Sequence, residues 1–449
     1  MSRIGKVDNM IIEKVYNIAP VWFQNIMCST KGWLLQRRRF GKGFFAELQK
    51  LEAGQVDPEH ELSEFLKGIR NVPAYAEVFK AAERDGREVR LGDFPIINKR
   101  VVKERIKDFY NPDFHGPMFL NHTSGTTGSG IVFPNSVAYE NRQWAVWWRY
   151  REALGIKFGT WCAWFGCAHM VVPINEKKPP FWRINRPGRQ VMFSPYHLTA
   201  ENVGQYIGEI ERRQIPWVHG YASHVRFLAK LALERGVGPV DCVKFVTTGA
   251  ENLLPDYIVD IKKVFPNAIV RQHYGQTEGV ANFSQTKDGD WVIDDDFAKV
   301  EFIPYDASNP ERCRIVGTSF SNLAFPLVRY DIGDVAIVKW VNGEAKVVGI
   351  EGRDNEYFIM KDGTKISTMR VYDIFKEAHN VIEAQLRIHG DDAVEMVVVK
   401  GEKYGESDEK EILALAKKYL SKALKISIGY VDKIERSASG KFRAIVKGN

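Results

Sequence analysis

Residues 121–130, Asn-His-Thr-Ser-Gly-Thr-Thr-Gly-Ser-Gly, alternate hydroxyl side chains with glycines. Such a run lets backbone N–H groups and hydroxyls converge on an anion with no Cβ in the way. It contains no lysine, and it leads into the apolar Ile131-Val132-Phe133 and then Pro134 rather than opening a helix with Gly-Lys-Ser/Thr. The flanks therefore predict a loop joining two strands, and not a nucleoside-triphosphatase P-loop. A Ser/Thr/Gly-rich turn that holds nothing would have the same composition. Further along, Tyr274-Gly275-Gln276-Thr277-Glu278 offers an aromatic face, a flexible hinge, a hydroxyl and a carboxylate. These groups suit ring stacking, a phosphate contact and a divalent cation. The β-rich run 243–248 ends at Gly249-Ala250-Glu251, where small residues let the backbone approach a flat ring. Between two β-patterned runs, Tyr330-Asp331-Ile332-Gly333-Asp334 offers a carboxylate that can accept paired hydroxyls, with Asp331, nearer the surface end, expected to act locally.

In this order, with Gly352-Arg353 and Ser439-Gly440-Lys441 after them, the motifs resemble the adenylate-forming superfamily of acyl-CoA synthetases, peptide-synthetase adenylation domains and luciferases. Their length and style look most like the phenylacetate-CoA ligase branch and its relatives in capsular polysaccharide biosynthesis. The resemblance spans roughly residues 30 to 445 and implies ATP, Mg²⁺ and coenzyme A. Its small-molecule partners would be a carboxylate and an acceptor, which could instead be an amine or a sugar. It assigns Thr123, Ser124, Gly125, Thr126, Thr127 and Gly128 to the phosphates, and Gly249, Ala250, Glu251, Tyr274 and Gly275 to adenine. Thr277 falls to the α-phosphate and Glu278 to Mg²⁺. Asp334 and Arg353 fall to the ribose, Asp354 to the pivot of a mobile cap and Lys441 to catalysis. His219, Tyr221 and His273 become candidates for the acid's pocket. Three departures stand out: Ala250 replaces a usual second glycine, Glu435 a proline and Ser437 a threonine. The altered terminal motif also fits a non-catalytic nucleotide-binding relative.

These groups need a scaffold. Apolar periodicity predicts helices over 10–53, broken at Pro20, over 58–84 around Val72-Pro73, and over 136–154, 200–213 and 222–235. The aromatic residues of 136–154 read as core. The segment 161–170 reads as a buried strand with a break at Gly166. Cys162, Cys167 and His169 within it invite a metal, although their spacing fits no common zinc pattern. Arg183, Arg186 and Arg189, set among Pro and Gly, read as an exposed basic loop. After residue 352, short β runs and helices over 371–379 and 408–423 predict a small α+β domain. The expected architecture is thus α/β, a large multi-sheet adenylation domain (1–352) and a small mobile cap (353–449). Lys441, on an exposed glycine-flanked loop far in sequence from every other active group, can act only when that cap closes.

At 449 residues, 45% hydrophobic and 27% charged, the chain can bury its own cores without disulfides. Five scattered cysteines, no run of eighteen apolar residues and no signal-type start indicate a reducing, cytoplasmic setting. A net charge of +7 suits anionic ligands, yet the basic residues form no stripe and no nucleic-acid-binding motif occurs. The aromatic, basic segment Trp33 to Phe45 fits a packed helix or a membrane-surface contact.

Overall fold

Short β runs alternating with amphipathic helices lead to parallel strands joined by crossover helices. The computed structural model describes residues 12–123, 130–166, 171–306, 308–353, 357–437 and 440–448. Its largest sheet has eight strands. Five of them, Gln190–Phe193, Cys162–Phe165, Trp217–Gly220, Phe245–Thr248 and Ile269–Gly275, run parallel in that spatial order. Antiparallel strands Trp182–Asn185, Asn282–Gln285 and Trp291–Ile293 extend the two edges.

Strand alternation divides the side chains between two faces. Ala163, Val218, Val246 and Val270 face a core with helices Val203–Arg212, Ala222–Glu234 and Pro255–Val264. Cys162, Trp217 and Phe245 face helix Val137–Leu154. The hydroxyl of Ser136 accepts the Tyr139 N–H at 3.1 Å to start that helix, and Gly155 ends it at φ +104°. A second sheet, built around Asn309–Ser319 and Tyr330–Val341, carries Asp334 and ends at Arg353.

The two strands expected around the hydroxyl-rich loop are Met118–His122 and Val132–Ser136, paired antiparallel. At the loop's base, Ile131 N–H donates to the Thr123 hydroxyl at 3.0 Å, and Thr123 N–H to Ile131 O. Ser124, Gly125, Thr126, Thr127 and Gly128 lie outside the described residues, as do Cys167, His169 and Asp354. Cys162 is buried against helix 137–154, which pushes its thiol pKa up. Among the described residues no group of three His, Cys, Asp or Glu could hold a metal.

The segment expected as an exposed basic loop folds otherwise. Trp182–Asn185 and Gln190–Phe193 form a hairpin, and of its three arginines Arg186 and Arg189 are exposed at the tip. Arg183 is fully buried, donating to the Gln24 side chain and, at 2.7 Å, to the carbonyls of Pro180 and Trp182. Helix Val21–Arg39 covers the hairpin and supplies the amide that makes this burial tolerable. Along residues 12–18 and that helix, Ile12, Val15, Ile18, Trp22, Ile26 and Trp33 are exposed. Their spacing puts most of them on one stripe.

The C-terminal part has its own core beneath a four-stranded sheet and helices Thr368–Glu377 and Glu406–Tyr419. The second helix begins two residues earlier than its apolar pattern indicates, because Asp408 reaches back to the Gly405 N–H at 2.8 Å. Ile382, Val399 and Ile434 from this part join the core around helix 222–234. The two parts are thereby docked.

Candidate active site

Parallel sheets bind ligands outside the carboxyl ends of their strands. Gly166, Tyr221, Gly249 to Glu251, and Tyr274 all lie at such ends. Gly249 is required there, since a Cβ would sit 2.8 Å from the His273 ring. Ala250 adopts φ +66°, a left-handed conformation that explains why glycine is usual and makes its methyl a strained substitution.

Tyr274 stacks on Phe283, with ring centres 5.1 Å apart, and donates its hydroxyl to Asp334 at 2.6 Å. Thus the expected adenine and ribose residues are brought side by side from two sheets. Asp331 is held locally, accepting from Arg314 at 2.9 Å and from Gly333 N–H at 3.0 Å. Arg353 pairs with Asp334 along the backbone. On the turn after Gly275, the half-buried Thr277 hydroxyl makes no hydrogen bond among the described residues. Half-buried Glu278 is reached by the Tyr330 hydroxyl at 3.5 Å. Its negative charge and burial together raise the phenol of Tyr139, with burial the larger cause.

Behind this rim, His219 and His273 of the sheet, both partly exposed, meet side chains of helix 137–154. His219 accepts from or donates to Thr247 Oγ1 at 2.9 Å and stacks with His273 at 6.5 Å. Trp147 and Tyr150 approach the His273 ring at 5.5 and 5.6 Å. Burial, and then the Arg151 charge, lower both histidine pKa values, that of His273 to about 3. Both rings are therefore neutral near pH 7. Trp147, read as core from its aromatic surroundings, is only half-buried, and its ring N–H donates to Asn282 Oδ1 at 3.0 Å. The spacing of Trp147, Tyr150 and Arg151 shows which helix face they share; only the sheet's register shows that His219 and His273 oppose it.

Glu251 does more than border a ring. Its carboxylate accepts the Ser223 N–H at 3.0 Å, capping helix 222–234, and the Phe442 N–H at 2.9 Å. One side chain thus ties the Lys441 loop to the start of helix 222–234. Ser437 closes that loop, its hydroxyl accepting Lys441 N–H at 3.0 Å and its N–H donating to Lys441 O at 2.9 Å. A hydroxyl is all this contact uses, so serine in place of threonine keeps it. Lys441 is half-buried rather than on an exposed loop, because Gly440 is buried and Phe442 packs against the core around helix 222–234.

The overall fold is similar to that of a 2-hydroxyisobutyryl-CoA ligase solved in its postadenylation state with 2-HIB-AMP. The TM-score is 0.64 at 16% identity, covering 87% of this chain and 88% of the other. The chain has the adenylate-forming ligase fold. Against the open conformation of the same ligase, with 2-HIB-AMP and CoA, the TM-score is 0.50 at 16% identity, over 86% of this chain and 90% of that one. Residues 358–448 match the CapK C-terminal domain. The chain is also 25% identical to Protein CapK of Staphylococcus aureus over 457 residues, 96% of this chain and 98% of that one.

Proposed function

We propose that the protein activates a carboxylic acid with ATP. A carboxylate oxygen attacks the α-phosphorus, the bond to the bridging oxygen of the β-phosphate breaks, and pyrophosphate leaves an acyl-adenylate behind. A second nucleophile, the thiol of coenzyme A or an amine or sugar hydroxyl, then displaces AMP. What supports this reading is the Tyr274–Asp334 bond across two sheets, with Glu278 beside Tyr330 of the same strand as Asp334 and the Lys441 loop tied to Glu251 of the neighbouring turn. Glu278, a half-buried carboxylate at the crevice, fits Mg²⁺, which would neutralise triphosphate charge. Thr277 and the 123–128 loop would donate to phosphate oxygens, and the Lys441 ammonium would stabilise charge growing on the α-phosphate. His219, Tyr221 and His273 would line the acid's pocket.

Pyrophosphate release dependent on an added carboxylate, measured over a broad acid panel, tests this; no release with any acid would sink it. Supplying coenzyme A and then amines or sugars separates the acceptors. Likeness to the capsular relative supports the second kind.

Asp334→Ala removes the acceptor for the ribose hydroxyls and should weaken ATP by about 1–3 kcal/mol. Tyr274→Phe, which keeps the ring and loses only the phenol, should retain stacking. Deoxy-ATP should compete almost as well as ATP in the alanine variant; preserved discrimination would rule the ribose role out.

The N-terminal stripe supports peripheral contact with an anionic bilayer from a cytoplasmic protein. Trp22, Ile26 and Trp33 line a groove of about 520 Å³ with Ile184 and Arg186, and Arg37 lies over the Trp33 ring at 4.8 Å. Apolar rings ringed by cations suit acidic headgroups. Among the described residues no helix is long and apolar enough to cross a membrane. Co-sedimentation with phosphatidylserine vesicles, weakened by salt and lost in Trp22→Glu/Ile26→Glu, is the expected result; equal binding of that variant would overturn it.

A further inference from the structure

The loop that carries Lys441 is braced within itself. Ser437 and Lys441 close it in both directions, and Gly440 N–H donates to Ser437 O at 2.8 Å. Such bonds fix the shape of a turn, not where it sits; that depends on bonds that leave it. On the side of its own four-stranded sheet, Arg436 pairs with Glu383 at 2.7 Å, Gln385 donates to Arg443 O at 2.8 Å and Leu386 N–H to Ala444 O at 2.8 Å. Towards the parallel sheet, Phe442 N–H donates to Glu251 Oε1 at 2.9 Å. That N–H belongs to the planar peptide group that also holds the Lys441 carbonyl, so the bond grips the chain one peptide from the lysine.

Glu251 is itself held. Its other oxygen, Oε2, accepts Ser223 N–H at 3.0 Å in the first turn of helix Ala222–Glu234, where N–H groups lack a partner within the helix and the dipole favours an anion. The turn behind it is constrained as well, with Ala250 at φ +66° and Gly249 against the His273 ring. Bordering a ring would need only the backbone of 249–251, whereas both carboxylate oxygens are engaged by main-chain donors from two distant stretches of chain. Other bonds join the same parts far from the lysine. Arg235 donates to Glu402 at 2.7 Å, and Glu402 N–H to Glu234 at 3.0 Å.

We propose that Glu251 is a positioning residue: by holding the Phe442 N–H against the start of helix 222–234, it sets where the Lys441 ammonium sits for the first half-reaction. This rests on the acid-activation reading above, which supplies the role of the ammonium.

In the full-length protein, Glu251→Ala should slow acyl-adenylate formation by about 10–100-fold, the cost of misplacing a reacting group by about 1 Å. The loss cannot exceed that of Lys441→Ala, because a misplaced ammonium is at worst an absent one. ATP affinity by calorimetry should stay within about twofold, and in a Lys441→Ala background the same substitution should add less than about twofold, since nothing is left to position. Hydrogen exchange over 437–444, followed by mass spectrometry, should quicken at least about tenfold. Arg235→Ala, which breaks the exposed pair with Glu402, should cost less than about twofold in rate and leave that exchange unchanged.

Wild-type exchange over 437–444 in a folded alanine variant overturns the proposal. So does a loss that multiplies in full with that of Lys441→Ala, a fall in ATP affinity as large as the fall in rate, or an Arg235→Ala loss equal to that of Glu251→Ala, which would assign the effect to docking in general. Should the alanine variant not fold, Glu251→Asp, which keeps the charge and draws it back by one methylene, is read by the same measurements with the same expectations. A wild type that releases no pyrophosphate with any acid sinks acid activation, and exchange still decides the tether; release that Glu251→Ala leaves untouched sinks the positioning role and keeps acid activation standing.

Discussion

Lys441→Ala should lose acyl-adenylate formation by about 10²–10³-fold while consuming pre-formed acyl-adenylate at nearly the wild-type rate. One preorganised electrostatic donor removed from a transition state costs roughly 2.7–4 kcal/mol, which sets the first figure. The second follows from the way the loop is held. The Phe442 N–H on Glu251 and the paired Ser437 and Lys441 backbone bonds dock it through main-chain atoms or other side chains. Truncating Lys441 thus removes the ammonium and leaves these docking bonds intact. ATP binding and thermal stability should change little, since a half-buried side chain on a surface turn contributes little to either. If a domain rotation about Asp354 carries this loop away for the acceptor step, the ammonium has no part in that step. Synthetic adenylate and acceptor, given to both proteins, provide the measurement. An equal loss in both half-reactions would mean that Lys441 serves both conformations, and the rotation built on it would fall.

The elements were legible where local chemistry decides them. Pro20 divides the first helices, Ser136 and Gly155 bound the aromatic one, and the β-rich flanks of the hydroxyl loop pair as expected. The motifs also reported which residues meet, as Tyr274 and Asp334 do across two sheets. What the sequence hid depends on long-range register. Arg183 among Pro and Gly has the composition of a solvated loop, and nothing local reveals that Gln24, far away in the chain, will cover it. Glu251 reads as part of a ring-binding turn, yet its carboxylate is set by the start of helix 222–234 and by a loop nearly two hundred residues on. Arg151 shares its helix face with tryptophans, so periodicity assigns it to a core. That three tryptophan rings, one of them from the sheet, surround its guanidinium appears only once every neighbour is in place.

Glu278→Gln tests the other end of the chemistry, with an expected loss of adenylation of at least about 100-fold. Gln keeps the shape of the turn and deletes the charge. The fold should tolerate it, because the tight contact here is made by the next residue: Gly279, at φ +63°, would place a Cβ only 1.9 Å from the Tyr139 hydroxyl, and the substitution leaves that glycine alone. Burial, not Glu278, is the main reason the Tyr139 phenol stays protonated, so removing the carboxylate changes no ionisation nearby. What goes is a negative group at the place where a divalent cation would join the triphosphate, and such ions contribute several kcal/mol to phosphoryl-transfer transition states. About 3 kcal/mol corresponds to a little over 100-fold in rate. Calorimetry should therefore show metal-free ATP binding close to wild type, with the Mg²⁺ dependence of turnover displaced to much higher concentration. Turnover at wild-type rate under limiting Mg²⁺ would remove Glu278 from the metal site. Weaker metal-free ATP binding, with the Mg²⁺ dependence unmoved, would make it a nucleotide contact instead, since a carboxylate holding only the cation has no reason to favour the bare, more negative triphosphate.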